Sequence, residues 1–294
     1  MVTYNPKDWL LLLIHFHKSD TFRVLLPALF LLGAITGAVT FVEQTYFKNF
    51  LPTNLTLFHQ LSGFIISLVL VFRVNSAYDR WWEGRKLWGA LLNNSRNLAI
   101  KLNTLVPKDD KVTRKELQAL ISNFAYALKE HLRDNVTLRG IEFTNELKQE
   151  SYALRSHKPN YIATQLTALI MTYCTKSKHI SNEYLILNEN INSLTDICGS
   201  CERIKNTPIP YSYSIFIKRV VFLYIITMPI SFGLTLGYWS IPIVMFMFYA
   251  FASLELISEE IEEPFGSDDN DLPTEEIAEK IKKNTTEILL PWVS

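Results

Sequence analysis

The chain has 294 residues and a formal net charge of zero, so nothing in its overall balance points to nucleic acid. Apolar residues reach 48% and aromatics 13%, yet 20% are charged, which suits a membrane protein with a substantial soluble part. The three cysteines, Cys174, Cys198 and Cys201, are odd in number and fall in the polar half, which argues against a disulfide framework.

Residues 1–23 read as an interfacial segment. The apolar run Trp9–Ile14 is too short for a signal peptide, and no small-residue cleavage site follows it. Asp8 to Lys18 predicts an amphipathic helix near the membrane surface. His15 and His17 lie two apart, point to different sides of such a helix, and read as interfacial side chains.

Residues 24–79 predict two transmembrane helices. The first, Val24–Val42, is uncharged, tolerates Pro27 near its start, and carries the small-xxx-small pair Gly33 and Gly37, which favours close helix contact. A short loop with Glu43, Lys48, Asn49 and Pro52 follows. The second span begins at Leu55 and is uncharged to Phe72, about 27 Å at ~1.5 Å per residue. From Arg73 on, charge and tryptophan arrive together, with no proline to interrupt, so one helix passes through the bilayer and continues into water.

That second span organises the chain. It holds His59, Gln60, Ser62, Gly63 and Ser67, and polar groups in hydrocarbon must be paired or face water. Phe64, Leu68 and Phe72 share one helical face. The stripe fits two readings: packing inside a helical bundle, or a hydrophobic constriction that gates a pore by dewetting.

Residues 80–210 predict a soluble helical domain. One helix runs from Arg80 to about Val106 and stops at Pro107. A capping-box pattern, Thr113 to Glu116, opens the next, which runs to about Asp134. Asn160 opens another, and Ser181 or Asn182 a fourth that reaches about Ile204. The Thr207–Pro210 run is extended. Residues 211–257 predict two more transmembrane helices, Val220–Tyr238 and Trp239–Leu254, joined by a tight turn at Gly237–Pro242. Residues 258–294 form an acidic turn and a short helix, Thr274 to about Leu290. No strand alternation is present, so the fold class is all-α. Lys and Arg cluster before the first span, after the second and before the third, which places both termini and the central domain in the cytoplasm of a plasma-membrane protein.

Few motifs carry chemistry. Cys198-Gly-Ser-Cys201 has redox or zinc spacing, but it lies in a predicted helix with no second pair and no histidine cluster nearby in sequence, and reads as buried small residues. Trp81, Trp82 and Trp88 read as interfacial anchors and domain core. No Gly-rich phosphate loop and no nucleophile elbow occurs, so no catalytic residue is assigned. The acidic run Glu255–Glu263 is placed to pair with the basic group Arg73–Lys86. Clustered carboxylates after Gly266 suit Ca²⁺, or an ordinary solvated turn capping the next helix.

The stretch Phe72–Gly89, with Arg80-Trp81-Trp82, the Cys201–Tyr213 stretch with its Thr-Pro-Ile-Pro run, and the Glu262–Pro273 stretch with Pro264-Phe265-Gly266 followed by acids, together resemble the bestrophin family of ion channels, above all its bacterial branch. The resemblance covers nearly the whole chain. It implies a homopentamer around a central pore, each subunit giving four transmembrane helices and a helical cytosolic domain. It implies a pore neck at Phe64, Leu68 and Phe72. It further implies a cytosolic aperture near Asn182, with Ile180 just before it. Asn182 departs from the family's apolar residue there; its amide would make a wetter ring, whereas Ile180 would keep the aperture hydrophobic. Animal members hold Ca²⁺ partly by carboxylates that fall on Asp268 and Asp271, but Ser267 stands where an acid is common, and no cofactor is required. The implied activity is passive conduction of chloride-like anions, with self, membrane lipid and inorganic ions as partners. A sodium or potassium channel of the same fold and a membrane-anchored scaffold for a cytosolic partner are the alternatives. The lack of inverted repeats weakens a transporter.

Overall fold

The computed structural model describes residues 21–47, 55–135, 137–176 and 180–292; the side chains at 176 and 180–183 are outside that description. The helix expected over Asp8–Lys18, with His15 and His17, and the loop residues Lys48, Asn49 and Pro52 lie outside the described residues. Within them the chain is all-helical: α1 (Thr21–Tyr46), α2 (Leu55–Leu105), α3 (Lys111–Leu132), α4 (Gln149–Ala153), α5 (Lys158–Lys176), α6 (Ile180–Asn206), α7 (Tyr211–Leu236), α8 (Ser240–Glu262) and α9 (Thr274–Leu289).

The proline-free run from Leu55 forms one helix of 51 residues, about 75 Å long at ~1.5 Å per residue. It ends where Pro107 has no N–H to continue the ladder. The next helix starts earlier than its expected box. Asp110, not Thr113, is the N-cap, its carboxylate accepting the Thr113 N–H at 3.1 Å. Glu116, the other half of the expected box, accepts the Asn145 N–H instead. Likewise α5 begins before Asn160, because the His157 ring nitrogen Nδ1 accepts the Asn160 N–H at 3.1 Å. Helix α4 was not anticipated; five residues are too few for a periodic signal.

The chain divides into two compact units. Among the described residues, one holds those up to Arg80 with Pro208–Glu262; the other holds those of Trp81–Thr207 with those from Glu263 to 292.

The first, apolar unit contains α1, the first half of α2, and the α7–α8 pair. Thr21–Tyr46, Leu55–Leu105 and the Tyr211–Glu262 hairpin are long and apolar enough to cross a membrane. Gly237, at φ +57°, closes the hairpin in a conformation that other residues rarely adopt. Ile66 and Leu70 of α2 pack on Val221, Tyr224, Ile225 and Met228 of α7 and on Val244 and Phe251 of α8. The Gly33 and Gly37 pair admits Met245 and Ile241 of α8. A side chain at Gly63 would collide with the Tyr224 hydroxyl, so only a glycine leaves room for that ring against α2.

The second unit is built around α3, of which all but a few positions are buried. Trp88, Leu91 and Leu98 of α2 meet Leu120, Phe124 and Leu128 of α3 and Leu166, Leu194 and Ile281 of the helices around it in one core. Its largest buried cation is Arg114, 0% exposed. Its guanidinium donates to the carbonyls of Asn103, Val106, Pro107 and Leu289 and to Asn103 Oδ1, so it caps the ends of α2 and α9 together.

Candidate functional site

The first half of α2 has two unlike faces. His59, Gly63, Ile66, Leu70, Arg73 and Ala77 are buried at alternating steps of four and three. Phe64, Leu68 and Phe72 are 72%, 48% and 57% exposed. Leu57, Leu61 and Ile65 form a second exposed apolar stripe beside them. Within one chain, therefore, the Phe64 stripe does not pack inside a bundle.

The polar residues of the buried face are paired. His59 Nδ1 lies 2.6 Å from Ser231 Oγ, and Nε2 lies 3.0 Å from Thr227 Oγ1. Tyr224 donates its hydroxyl to the His59 carbonyl. Ser67, on the exposed side, returns its hydroxyl to the Gly63 carbonyl. His59 is thus a hydrogen-bonded link between α2 and α7.

At Arg73 the expected pairing with the acidic run is present. Arg73 Nη2 donates to Glu262 Oε2 at 2.7 Å, and Nε lies 3.7 Å from Glu255 Oε2. Glu262 also accepts the Ile209 N–H through Oε1 and the Arg80 Nε–H through its carbonyl. One glutamate at the end of α8 therefore ties together α2 and the Thr207–Pro210 run that leads into α7.

The acidic turn belongs to the α3-centred unit. Phe265 and Leu272 are buried against Gly84 of α2, where an added methyl would sit 3.1 Å from the Phe265 ring. Asp271 is 2% exposed, and its Oδ2 accepts the Asp268 N–H at 2.6 Å. Asp268 is exposed. Arg133 donates from Nε to the Phe265 carbonyl and from Nη2 to Thr274 Oγ1. Trp81 Nε1 donates to the Asn270 carbonyl, and Trp88 is buried in the core, while Trp82 is exposed. Ca²⁺ takes six to eight oxygens. In this turn one carboxylate oxygen of Asp271 accepts a backbone N–H, and the Phe265 carbonyl accepts from a guanidinium. The side chains of Ile180 and Asn182, expected at the aperture, lie outside the described residues.

Two features of the α3-centred unit escaped the sequence. The histidines that no motif joined to Cys198-Gly-Ser-Cys201 come together in space: His131 and His157 both meet Glu202, the residue after Cys201. The cysteines themselves are buried and form no disulfide among the described residues. Burial first, then the Glu202 carboxylate beside it, pushes the Cys198 thiol up to about 12, and burial pushes Cys201 up as well. Arg114 is the second feature; a lone arginine in an amphipathic helix carries no signal for a buried carbonyl cage.

Comparison with known proteins identifies relatives over nearly all of this length. A family model described as Bacterial/Fungal Bestrophin protein matches residues 1–287. A voltage-dependent anion channel-forming protein of Nostoc sp. is 36% identical over 239 residues, 78% of this chain and 76% of that protein. A protein of the same description from Escherichia coli K12 is 30% identical, covering 96% of this chain and 92% of its own length. The crystal structure of a bacterial bestrophin homologue from Klebsiella pneumoniae superposes with a TM-score of 0.81 at 25% identity, covering 89% of this chain and 97% of that one.

Proposed function

This chain belongs to the bacterial and fungal bestrophin family of membrane proteins, and on that basis we propose that it is a homopentameric channel for chloride-like anions. No enzymatic step is involved. The carrying observation is the Phe64–Leu68–Phe72 stripe: bulky, apolar and exposed on a helix whose opposite face is fully engaged. In the proposed assembly this stripe faces the fivefold axis and forms the neck, and the Leu57–Leu61–Ile65 stripe packs on a neighbouring copy. Ions pass without a charged ring at the neck, so passage depends on its wetting. Four transmembrane helices per subunit, α1, the first half of α2, α7 and α8, cross the plasma membrane, with both termini and the α3-centred unit cytoplasmic. The second constriction lies at Ile180 or Asn182.

The relatives from Nostoc and Escherichia coli are anion channel-forming proteins by name, which favours anions over cations, and nothing in the geometry favours a scaffold. The channel requires no cofactor. Asp268 and Asp271 are the carboxylates a Ca²⁺ ion would meet in this turn, and the proposed conduction does not depend on one. The test is chloride efflux from vesicles reconstituted with the purified protein, with and without Ca²⁺. The proposal expects efflux that scales with protein and is indifferent to Ca²⁺. Vesicles that retain chloride under both conditions contradict it.

A further inference from the structure

Three side chains from three separate segments converge in the α3-centred unit: His131 in the last turn of α3, His157 just before α5, and Glu202 on α6. His131 Nε2 lies 2.6 Å and His157 Nε2 2.7 Å from the same oxygen, Glu202 Oε1. The two imidazole rings are 4.6 Å apart at 36°. One ligand atom from each residue fits within 4.8 Å of the others. Side chains are 26%, 32% and 26% exposed, so the cluster sits at the edge of the core with one side open to water.

We propose that His131, His157 and Glu202 form a binding site for a divalent transition-metal ion of the Zn²⁺ class. Two imidazole nitrogens and one carboxylate oxygen are the donor set this class prefers, and a hard cation such as Mg²⁺ does not. Three protein ligands with an open side leave a fourth position for water, so the ion exchanges. The surroundings orient the ligands. Lys205 donates to the His131 carbonyl while its charge is met by Asp134 at 2.6 Å.

Without the ion, both rings meet Glu202. His157 Nδ1 accepts the Asn160 N–H, so its ring proton sits on Nε2 and points to Glu202. Coordination through Nε2 moves that proton to Nδ1, which then cannot accept from Asn160. The ion therefore joins α3 and α6 to the start of α5 and at the same time releases the hydrogen bond that caps α5. Binding at this site has a local signature that a stray surface ion lacks: the Asn160 amide becomes less protected.

The test uses the full-length protein in detergent, stripped of metal with a chelator, with Zn²⁺ as the probe and Mg²⁺ as control. We expect Zn²⁺ to bind with one ion per chain by calorimetry, to raise the melting temperature by about 2–4 °C at saturation, and to speed hydrogen exchange at Asn160. Mg²⁺ does none of these. His131→Gln, His157→Gln and Glu202→Gln each weaken Zn²⁺ binding by more than the about 10–100-fold caused by loss of an outer contact. Glu202→Gln keeps a hydrogen-bonding partner for both rings and serves as the variant that folds. Zn²⁺ binding of wild-type strength in that variant, or wild-type protein that binds no Zn²⁺, overturns the proposal.

Discussion

The two units bury their fully enclosed arginines in opposite ways, while Lys129 of the α3-centred unit meets the carboxylates of Glu130 and Glu275. In the apolar unit, Arg73 is held by the carboxylates Glu255 and Glu262. In the α3-centred unit, Arg114 is equally buried and meets backbone carbonyls and one side-chain amide oxygen. The difference follows from what each unit has to offer. A helical bundle in hydrocarbon has its backbone satisfied internally, so a buried cation there must find a side-chain anion. A compact domain has helix ends, whose last carbonyls have no partner in the helix, and Arg114 supplies one to two of them at once. The apolar exposure differs as well. The α3-centred unit exposes scattered apolar side chains such as Val112 and Leu154, while α2 of the apolar unit exposes two apolar stripes at helical spacing.

The contrast can be broken at its strongest point first. Arg114→Met removes the donor to four carbonyls and an amide oxygen, and should cost about 3–5 kcal/mol, read as a large drop in the chaotrope midpoint of the purified protein. A midpoint like that of the wild type would show that those carbonyls find other donors. Arg73→Met leaves Glu255 and Glu262 facing each other in the apolar unit and should cost about 3 kcal/mol. Adding Glu262→Gln to Arg73→Met should recover part of that loss, since one uncompensated charge goes with it. A further loss in the double variant would mean that the Ile209 and Arg80 bonds to Glu262, rather than the ion pair, carry the effect.

Smaller effects sharpen the picture within the α3-centred unit. Gly84→Ala puts a methyl 3.1 Å from the Phe265 ring and 3.2 Å from Leu272, and should cost about 1–3 kcal/mol in the thermal transition. The mildest prediction concerns pH. Burial and the adjacent carboxylate keep the Cys198 thiol protonated up to about 12, whereas an unfolded thiol ionises near ~8.5. The folded state then binds the proton that the unfolded state releases, so this contribution is complete below pH ~8.5 and fades as pH rises from there toward about 12. Cys198→Ala should flatten the alkaline side of the stability profile. An unchanged slope would place the pH dependence elsewhere.

The physics of the chain explains which of these features were legible in its sequence. Helix α2 was, because an uninterrupted proline-free run with a charge boundary at Arg73 leaves one continuous helix as the simplest outcome. The pairing of Arg73 with the acids at the end of α8 was legible too, because charge at the membrane boundary needs a counter-charge. The close contacts at Gly33 and Gly37 follow from small residues at helical spacing, and the Gly237 turn from the lack of a loop between two apolar runs. Helix starts were less legible. Asp110 and His157 cap α3 and α5 in place of Thr113 and Asn160, since several polar residues near each start compete and only the folded backbone selects one. The His131–His157–Glu202 cluster and the Arg114 cage were not legible. Their members come from segments far apart in the chain, and no local spacing reports which helix faces meet. The neck residues were picked out as a face of α2, but their assignment to a pore rests on the resemblance, since exposure alone marks the Leu57 stripe just as well.

The central claim is that Phe64, Leu68 and Phe72 line the path of an anion channel. The most direct measurement is single-channel current in planar bilayers under a KCl gradient, for the wild type and for the variant Phe64→Ala/Leu68→Ala/Phe72→Ala. The account predicts unitary steps that reverse near the chloride equilibrium potential, and a larger conductance in the variant because a wider neck wets more readily. Reversal near the potassium potential, or a variant that conducts like the wild type, would contradict it.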